Sequence, residues 1–299
     1  NTVVFRYRLN ENHEIIDTDT PENLVDGLID MGIDNAKPFT IDNDNNLYVT
    51  IGSWNDACRD GDAGMMPCAI LDSAGGIWKF NAGKLNQTFA DGSRYATGLK
   101  NSVGIDWNFK TNSLFATDHG RGGLHSFYPD VFTKKQDAEL PAETLYELKE
   151  GDNAGWPKTY YDHFKNKRML APEYGGYGEQ VAEEDYINPV AAFPAHLAPN
   201  DLLFYTGDMF PEKYNNGAFI AFHNQSAELK KGFFIAFVPF KDGKPNGEWE
   251  IFLDNFAGFD LANPSEETLK HRPCGLAQGP DGALYVCDDF GGSIFKVTY

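Results

Sequence analysis

Apolar and polar residues alternate with a period of two over much of the chain, in short runs separated by turns rich in Asn, Asp, Gly and Pro. Three stretches share one plan: "FTIDNDNNLYVTIGS" (39–53), "VGIDWNFKTNSLFATDHG" (103–120) and "CGLAQGPDGALYVCDD" (274–289). Each has an apolar strand, a polar turn, and an apolar-aromatic strand that ends in small or acidic residues. A further strand follows each, at "GGIWKFNA" (75–82), "ETLYELKEG" (143–151) and "GSIFKVTY" (292–299). A fourth unit reads "NDLLFYTGD" (200–208), "NGAFIAFH" (216–223) and "KGFFIAFVPF" (231–240). Period two places successive side chains on opposite faces of a strand, and the tight turns predict antiparallel pairing. Repeated three- and four-stranded units are the sequence pattern of propeller blades. Helical periodicity is scarce. The best short helix candidate is "TPENLVDGLIDMG" (20–32), with Thr20 as N-cap, Pro21 at the first helical position and Gly32 as the stop.

The pattern therefore predicts an all-β fold, a single β-propeller domain over 1–299 with about four blades. Long insertions fall at 53–74, 120–142 and 151–198. The opening "TVVFRYRL" reads as the outer part of a blade whose beginning is missing. A chain that opens on Asn1 is expected to be processed, trimmed or incomplete.

Composition agrees with this class. Of 299 residues, 41% are hydrophobic and 14% aromatic, with 30 Gly and 16 Pro, as in a globular β protein rich in turns. The formal net charge of -19 repels nucleic acid and anionic membrane surfaces, and suits a cation, a neutral sugar or a basic partner. There is no run of about 20 apolar residues, so membrane insertion is not expected.

Four cysteines form two close pairs. Cys58 and Cys68 bracket a short polar loop that a disulfide would staple. Cys274 and Cys287 flank a predicted hairpin. A two-residue loop at Pro280 and Asp281 sets them opposite one another, whereas a three-residue loop with a Gly bulge shifts the register by one. Close cysteine pairs point to an oxidising, secreted or periplasmic location. Asn86-Gln-Thr and Asn224-Gln-Ser have the form of glycosylation acceptors.

Candidate chemistry gathers where loops enter strands. In "DHGRGG" (118–123) the glycines free the backbone to point carbonyl oxygens at a hard cation. Arg121 offers a forked contact to a carboxylate or phosphate. His119 is either a base or a buried, hydrogen-bonded imidazole. Lys100 and Asn101 sit in a turn before a strand. Asp152, Asn153, Trp156, His196, His271 and Arg272 also lie in stretches that precede or link strands, and such loops converge at one end of a propeller channel. "DNDNN" (42–46) resembles a calcium loop but carries Leu47 at position six and Ser53 at position twelve, so a simple turn is expected. Phosphate-loop, HExxH and GxSxG motifs are absent from the sequence, which disfavours nucleotide hydrolysis, zincin proteolysis and the common serine-hydrolase fold.

The stretches "GLKNSVGIDWNFKTNSLFATDHGRGGLH", "ELPAETLYELKEGDNAGWP", "APEYGG", "FPAHLAPNDLLFYTGDMFP" and "RPCGLAQGPDGALYVCDDFGGSIFKVTY" resemble the quinoprotein glucose/sorbosone dehydrogenase family from about residue 34 onward. That resemblance implies a six-bladed propeller, usually secreted or periplasmic, that binds pyrroloquinoline quinone (PQQ) and calcium and oxidises aldoses or related sugars. It implies calcium on the backbone oxygens of Gly120 and Arg121, and Lys100, Asn101, Arg121 and Arg272 beside the quinone. His196 matches a residue common in the family, without an assigned role. The departures are specific. Asp34 stands where the family has its catalytic His, and an ordinary Asp, with a pKa near ~3.9, is a weak base for an alcohol proton. Asp34 or His119 would have to act as base. Lys100 replaces an Arg and loses its fork. The "HNQSAELKKG" loop (223–232) lacks an expected Arg, and the family's first one to two blades are absent. The expectation is a PQQ- and calcium-dependent sugar dehydrogenase or a weakened relative. The alternative is a non-catalytic extracellular propeller that serves as a binding or assembly module, with a second chain or protein partner completing the ring. A smaller alternative is another calcium-dependent propeller enzyme such as a sugar lactonase.

Overall fold

The computed structural model describes residues 2–60, 63–183, 185–261 and 269–299. Five blade-like sheets follow one another along the chain. All four predicted units are present as blades. In blade 2, Phe39–Ile41, Asn46–Ile51, Gly76–Asn81 and Ser93–Thr97 pair in sequence, and Asp152–Asn153 adds a parallel edge. Blade 3 contains Ile105–Asn108, Ser113–Asp118, Glu143–Leu148 and Ala191–Phe193. Blade 4 is built on Pro199–Tyr205, Gly217–Ser226 and Lys231–Lys241. Blade 5 contains Pro273–Gln278, Leu284–Asp288 and Ser293–Val297.

The N-terminal segment corrects the count of four to five. Val4–Arg6 pairs with Glu22–Asp26, which pairs in parallel with Gln87–Thr88. The helix expected over 20–32 is therefore a strand at Glu22–Asp26. Burial of Leu24 and Val25, at 4% and 0% exposure, decides this locally ambiguous segment. Thr20 does not cap a helix; its hydroxyl donates to Asp17 Oδ2 at 2.6 Å.

The cysteine pairs divide. Cys58–Cys68 is a disulfide, whereas Cys274 and Cys287 are free. The hairpin before Cys287 takes its three-residue form: Gly279 and Ala283 close it, with Gly282 in the left-handed region at φ 81°. The register then pairs Gly275, not Cys274, with Cys287, and a bulge falls at Cys274. The Cys58–Cys68 bridge closes a loop of sequence separation 10, which by chain entropy contributes about 3 kcal/mol. Mild reduction is expected to lower the melting temperature by several degrees and to release two thiols beyond those of Cys274 and Cys287; an unchanged melting curve after complete reduction would count against this staple.

Apolar clusters fill the spaces between blades. Blades 4 and 5 share a ring-rich core of Tyr205, Phe210, Phe219 and Phe237 with Leu284 and Val286. Inner strands are also tied by buried carboxyls. Asp106 of blade 3 accepts the Phe204 N–H of blade 4 on Oδ2 at 2.8 Å. Asp201 of blade 4 accepts the Leu276 N–H of blade 5 on Oδ2 at 2.6 Å. Gln278 Oε1 reaches back to the N–H groups of Thr206 and Gly207.

Burial pushes Asp106 up to about 7 and Asp201 up to about 6, and the backbone N–H bonds only partly oppose this. Groups whose folded pKa is raised hold protons that the unfolded chain has lost, so their contribution falls as pH rises from about 4 to about 7. Urea midpoints are expected to be higher at pH 5 than at pH 8, and Asp106→Asn should flatten that difference. An unaltered slope in the variant would show that Asp106 does not carry it.

Candidate active site

Four stretches immediately before inner strands end on the same side of the propeller: Asp34, Lys100 with Asn101, His196, and Arg272. The outward-running Ser113–Asp118 strand delivers Asp118 and His119 to that end as well. Antiparallel pairing of this strand with Ile105–Asn108 makes the convergence a matter of topology.

Lys100 is the centre of the cluster. Its Nζ lies 2.9 Å from Asp34 Oδ2 and 3.0 Å from Asp56 Oδ1, and its side chain is 12% exposed. Burial opposes its charge, but the Asp56 and Asp34 carboxylates outweigh that and raise its pKa. Asn101 Nδ2 donates to Asp34 Oδ1 at 3.1 Å and lies 3.4 Å from His119 Nδ1. This packing needs Gly52, where a Cβ would come within 2.6 Å of Asn101 Oδ1. Asp56 lies two residues before the Cys58–Cys68 bridge, and Trp156 Nε1 donates to the Asp56 carbonyl at 2.7 Å.

Two buried acids hold the loops from beneath. Asp118 accepts the N–H groups of Lys100 and Asn101 and the Ser102 hydroxyl. Glu143 accepts the Gly120 N–H on Oε2 at 2.9 Å and faces the Ala198 N–H with Oε1. Burial pushes Asp118 up to about 7 and Glu143 up to about 8. Gly120 cannot carry a side chain, because a Cβ would stand 2.7 Å from the Pro141 carbonyl. Burial, aided by the Lys100 charge, pulls His119 down to about 3, so its ring is neutral. Its Nε2 is buried and makes no close hydrogen bond, with the Pro199 carbonyl and the Asn200 side chain nearby. A cavity of about 40 Å³ lies against Lys100, Asp118, His119, Gly120 and Arg121, room for a water or two.

The side chains of the other predicted residues are engaged by partners outside the Lys100 cluster. The Arg121 side chain turns away and pairs with Glu173 at 2.6 Å, the two side chains being 4% and 0% exposed. Arg272 forks onto Asp289 at 2.9 and 3.1 Å, and the same Asp289 meets His223 Nε2 at 3.0 Å. His271 Nδ1 lies 2.6 Å from Asp288 Oδ2. His196 is engaged by the Asp137 carbonyl at 2.8 Å. Asp152 and Asn153 form the outer edge of blade 2. The "DNDNN" stretch is a turn in which Asp42 accepts the N–H groups of Asp44 and Asn46 and the Tyr48 hydroxyl. Among the described residues, no cluster of three or more His, Cys, Asp or Glu side chains is arranged to hold a metal. Sequence reasoning missed Asp56, Asp118, Glu143 and Glu173. Asp118 stood in a quoted motif, but its partners come from a distant turn.

The donor set at this end fits the implied cofactors in kind: one ammonium, one amide, a neutral imidazole, and a glycine turn fixed from below. It differs in that Asp34 and Asp56 already occupy the ammonium.

An all-β propeller with these loops at one channel end shares its fold with the PQQ-bound form of an aldose sugar dehydrogenase. The chain matches the TrAA12-like family over residues 1–299 and belongs to it. Its fold is similar to the calcium structure of the Trichoderma reesei Carbohydrate-Active Enzymes Family AA12 protein: TM-score 0.76 and 18% identity, over 99% of this chain and 75% of that one. It is also similar to the PQQ-bound aldose sugar dehydrogenase of Streptomyces coelicolor, with TM-score 0.58 and 18% identity over 98% and 71% of the two chains. An uncharacterized protein of Borreliella burgdorferi is 29% identical over 209 residues, 68% of this chain; the chain spans about half (48%) of that curated relative.

Proposed function

We propose that this chain is the propeller core of a PQQ- and calcium-dependent sugar dehydrogenase. The observation that carries the reading is the convergence of Lys100, Asn101, His119 and the Gly120 turn on one channel end. Bound there, the quinone would supply a two-electron acceptor for a sugar hydroxyl-bearing carbon, with calcium as the polarising cation. Lys100 and Asn101 would hold the quinone, and the carbonyl oxygens of Gly120 and Arg121 the calcium. Asp118 keeps the Lys100–Ser102 turn in place, and Glu143 keeps the Gly120 turn. His119 is neutral, and its unprotonated nitrogen is the Nδ1 that faces the Asn101 amide, so the ring is at most a weak proton acceptor. Asp34, fixed by Lys100 and Asn101, is the other group at this end able to take a proton. Arg272, forked onto Asp289, would have to release that carboxylate to meet the quinone.

A second reading, a binding or assembly propeller without catalysis, is favoured by one observation: Asp34 and Asp56 close on the cation a quinone carboxylate would need. Exposed apolar side chains on the first blade (Phe5, Leu9, Ile15, Ile16) and on the outer strand of blade 5 (Ile294) support a further segment or a second chain packing there to complete the ring. The disulfide supports an extracellular or periplasmic location, and Asn86 and Asn224 are exposed, as glycan acceptors must be.

The test is a titration of the chain with PQQ and calcium followed by absorbance, then an aldose panel with a dye acceptor. Saturable binding and dye reduction support the dehydrogenase; no binding at high quinone concentration transfers the weight to the second reading. Calcium is expected to raise the melting temperature reversibly. Identical melting with calcium and with chelator would remove it from the proposal.

A further inference from the structure

A second cavity lies at the opposite end of the blade strands from Lys100. It has a volume of about 580 Å³, within the range of ligand pockets, roughly 300–1,000 Å³. Its walls come from the Asn108–Thr111 turn of blade 3, the ends of the blade 4 strands around Phe204, Asn216 and Phe240, and Gln278 of blade 5.

Three features define what it would take. First, Phe109 lines the cavity yet is 56% exposed, and no ring among the described residues stacks on it. Second, two carboxamides keep donors in reserve. Asn108 is 5% exposed and uses Oδ1 on the Lys110 N–H, and Asn216 uses Oδ1 on the Lys110 ammonium at 2.9 Å. In both, Nδ2 has no hydrogen-bond partner among the described residues. Third, the lining charges come close to balance: Lys110 and Lys241 stand against Asp242 and a partly protonated Asp106. In a chain of net charge -19, a cavity close to charge balance with unused amide donors beside an unstacked ring fits neither an anion nor a purely apolar ligand. Aromatic faces gain from packing against C–H surfaces, and amides pair with hydroxyls.

We propose that this cavity is a binding site for a neutral saccharide, stacked on Phe109 and hydrogen-bonded by Asn108 and Asn216. It is separate from the Lys100 end and requires neither quinone nor calcium.

The experiment is saturation-transfer NMR and calorimetry on the purified chain, without quinone or calcium, using D-glucose and cellobiose as probes. Saturable binding is expected, with Kd raised roughly fivefold or more in Phe109→Ala and in Asn216→Ala. Both positions are exposed, so circular dichroism should show an unaltered fold. Lys100→Ala should bind as the parent does. No saturable binding of either sugar, or binding that Phe109→Ala leaves unchanged, overturns the proposal. So does loss of binding in Lys100→Ala, which would place the sugar at the other end. Because no quinone is present, failure here leaves the dehydrogenase reading standing.

Discussion

Arg121→Met is expected to destabilise the protein by about 3 kcal/mol, because it takes the cation from the buried Glu173 carboxylate and leaves it only the Tyr128 hydroxyl. The Glu173 side chain is 0% exposed and its cationic partner stands 2.6 Å away, with the Phe127 ring beneath the guanidinium at 5.9 Å. Desolvating a lone carboxylate costs far more than a well-formed pair contributes, so the loss comes from breaking the pair rather than from losing its attraction. The double variant Arg121→Met with Glu173→Leu should therefore recover most of the loss. Urea denaturation of the four proteins of this cycle measures it. If single and double variants lose the same amount, the ion pair is not the source and packing around the Leu124–Phe127 turn is.

The second large effect concerns Lys100. If the quinone binds at this end, Lys100→Ala should weaken it roughly 10–100-fold, the range for losing a charge-assisted hydrogen bond. Asp56→Asn should act in the opposite direction. Its carboxylate holds Lys100 at 3.0 Å, but the Asp56 side chain is 45% exposed, so solvent screens the contact and a gain of only about threefold is expected. Absorbance titrations with PQQ read both. Equal affinity in Lys100→Ala and the parent would take Lys100 out of the site, whatever the activity.

Much of the fold is legible in the sequence because propeller blades are local. Each of the four repeat units gave its strands from period-two alternation and turn residues alone, as with Asn46–Ile51 and Leu284–Asp288. The failures have non-local causes. Glu22–Asp26 has helical cap signals but pairs with strands on either side of it in sequence, one of them at Gln87–Thr88. The Cys274–Cys287 pairing depended on a turn type that one glycine at 282 decides. At the site, the motif residues Lys100, Asn101 and His119 do gather, since topology delivers them. The direction of the Arg121 side chain was not legible, because Glu173 lies 52 residues away in the 151–198 insertion. Asp56 was equally hidden: its place beside Lys100 is set by Trp156 from a third region of the chain, next to a disulfide.

The carboxyl ties between inner strands bear on how such a protein can change over generations. Asp106 and Asp201 each sit within the repeat they belong to and grip bare backbone, not a particular side chain, of the following blade. A duplicated repeat would thus arrive with its own means of attachment, and the neighbour needs no matching mutation to receive it. Blade number can then drift while the joints remain serviceable, and loops at either end are free to acquire or lose chemistry on a frame that does not depend on them.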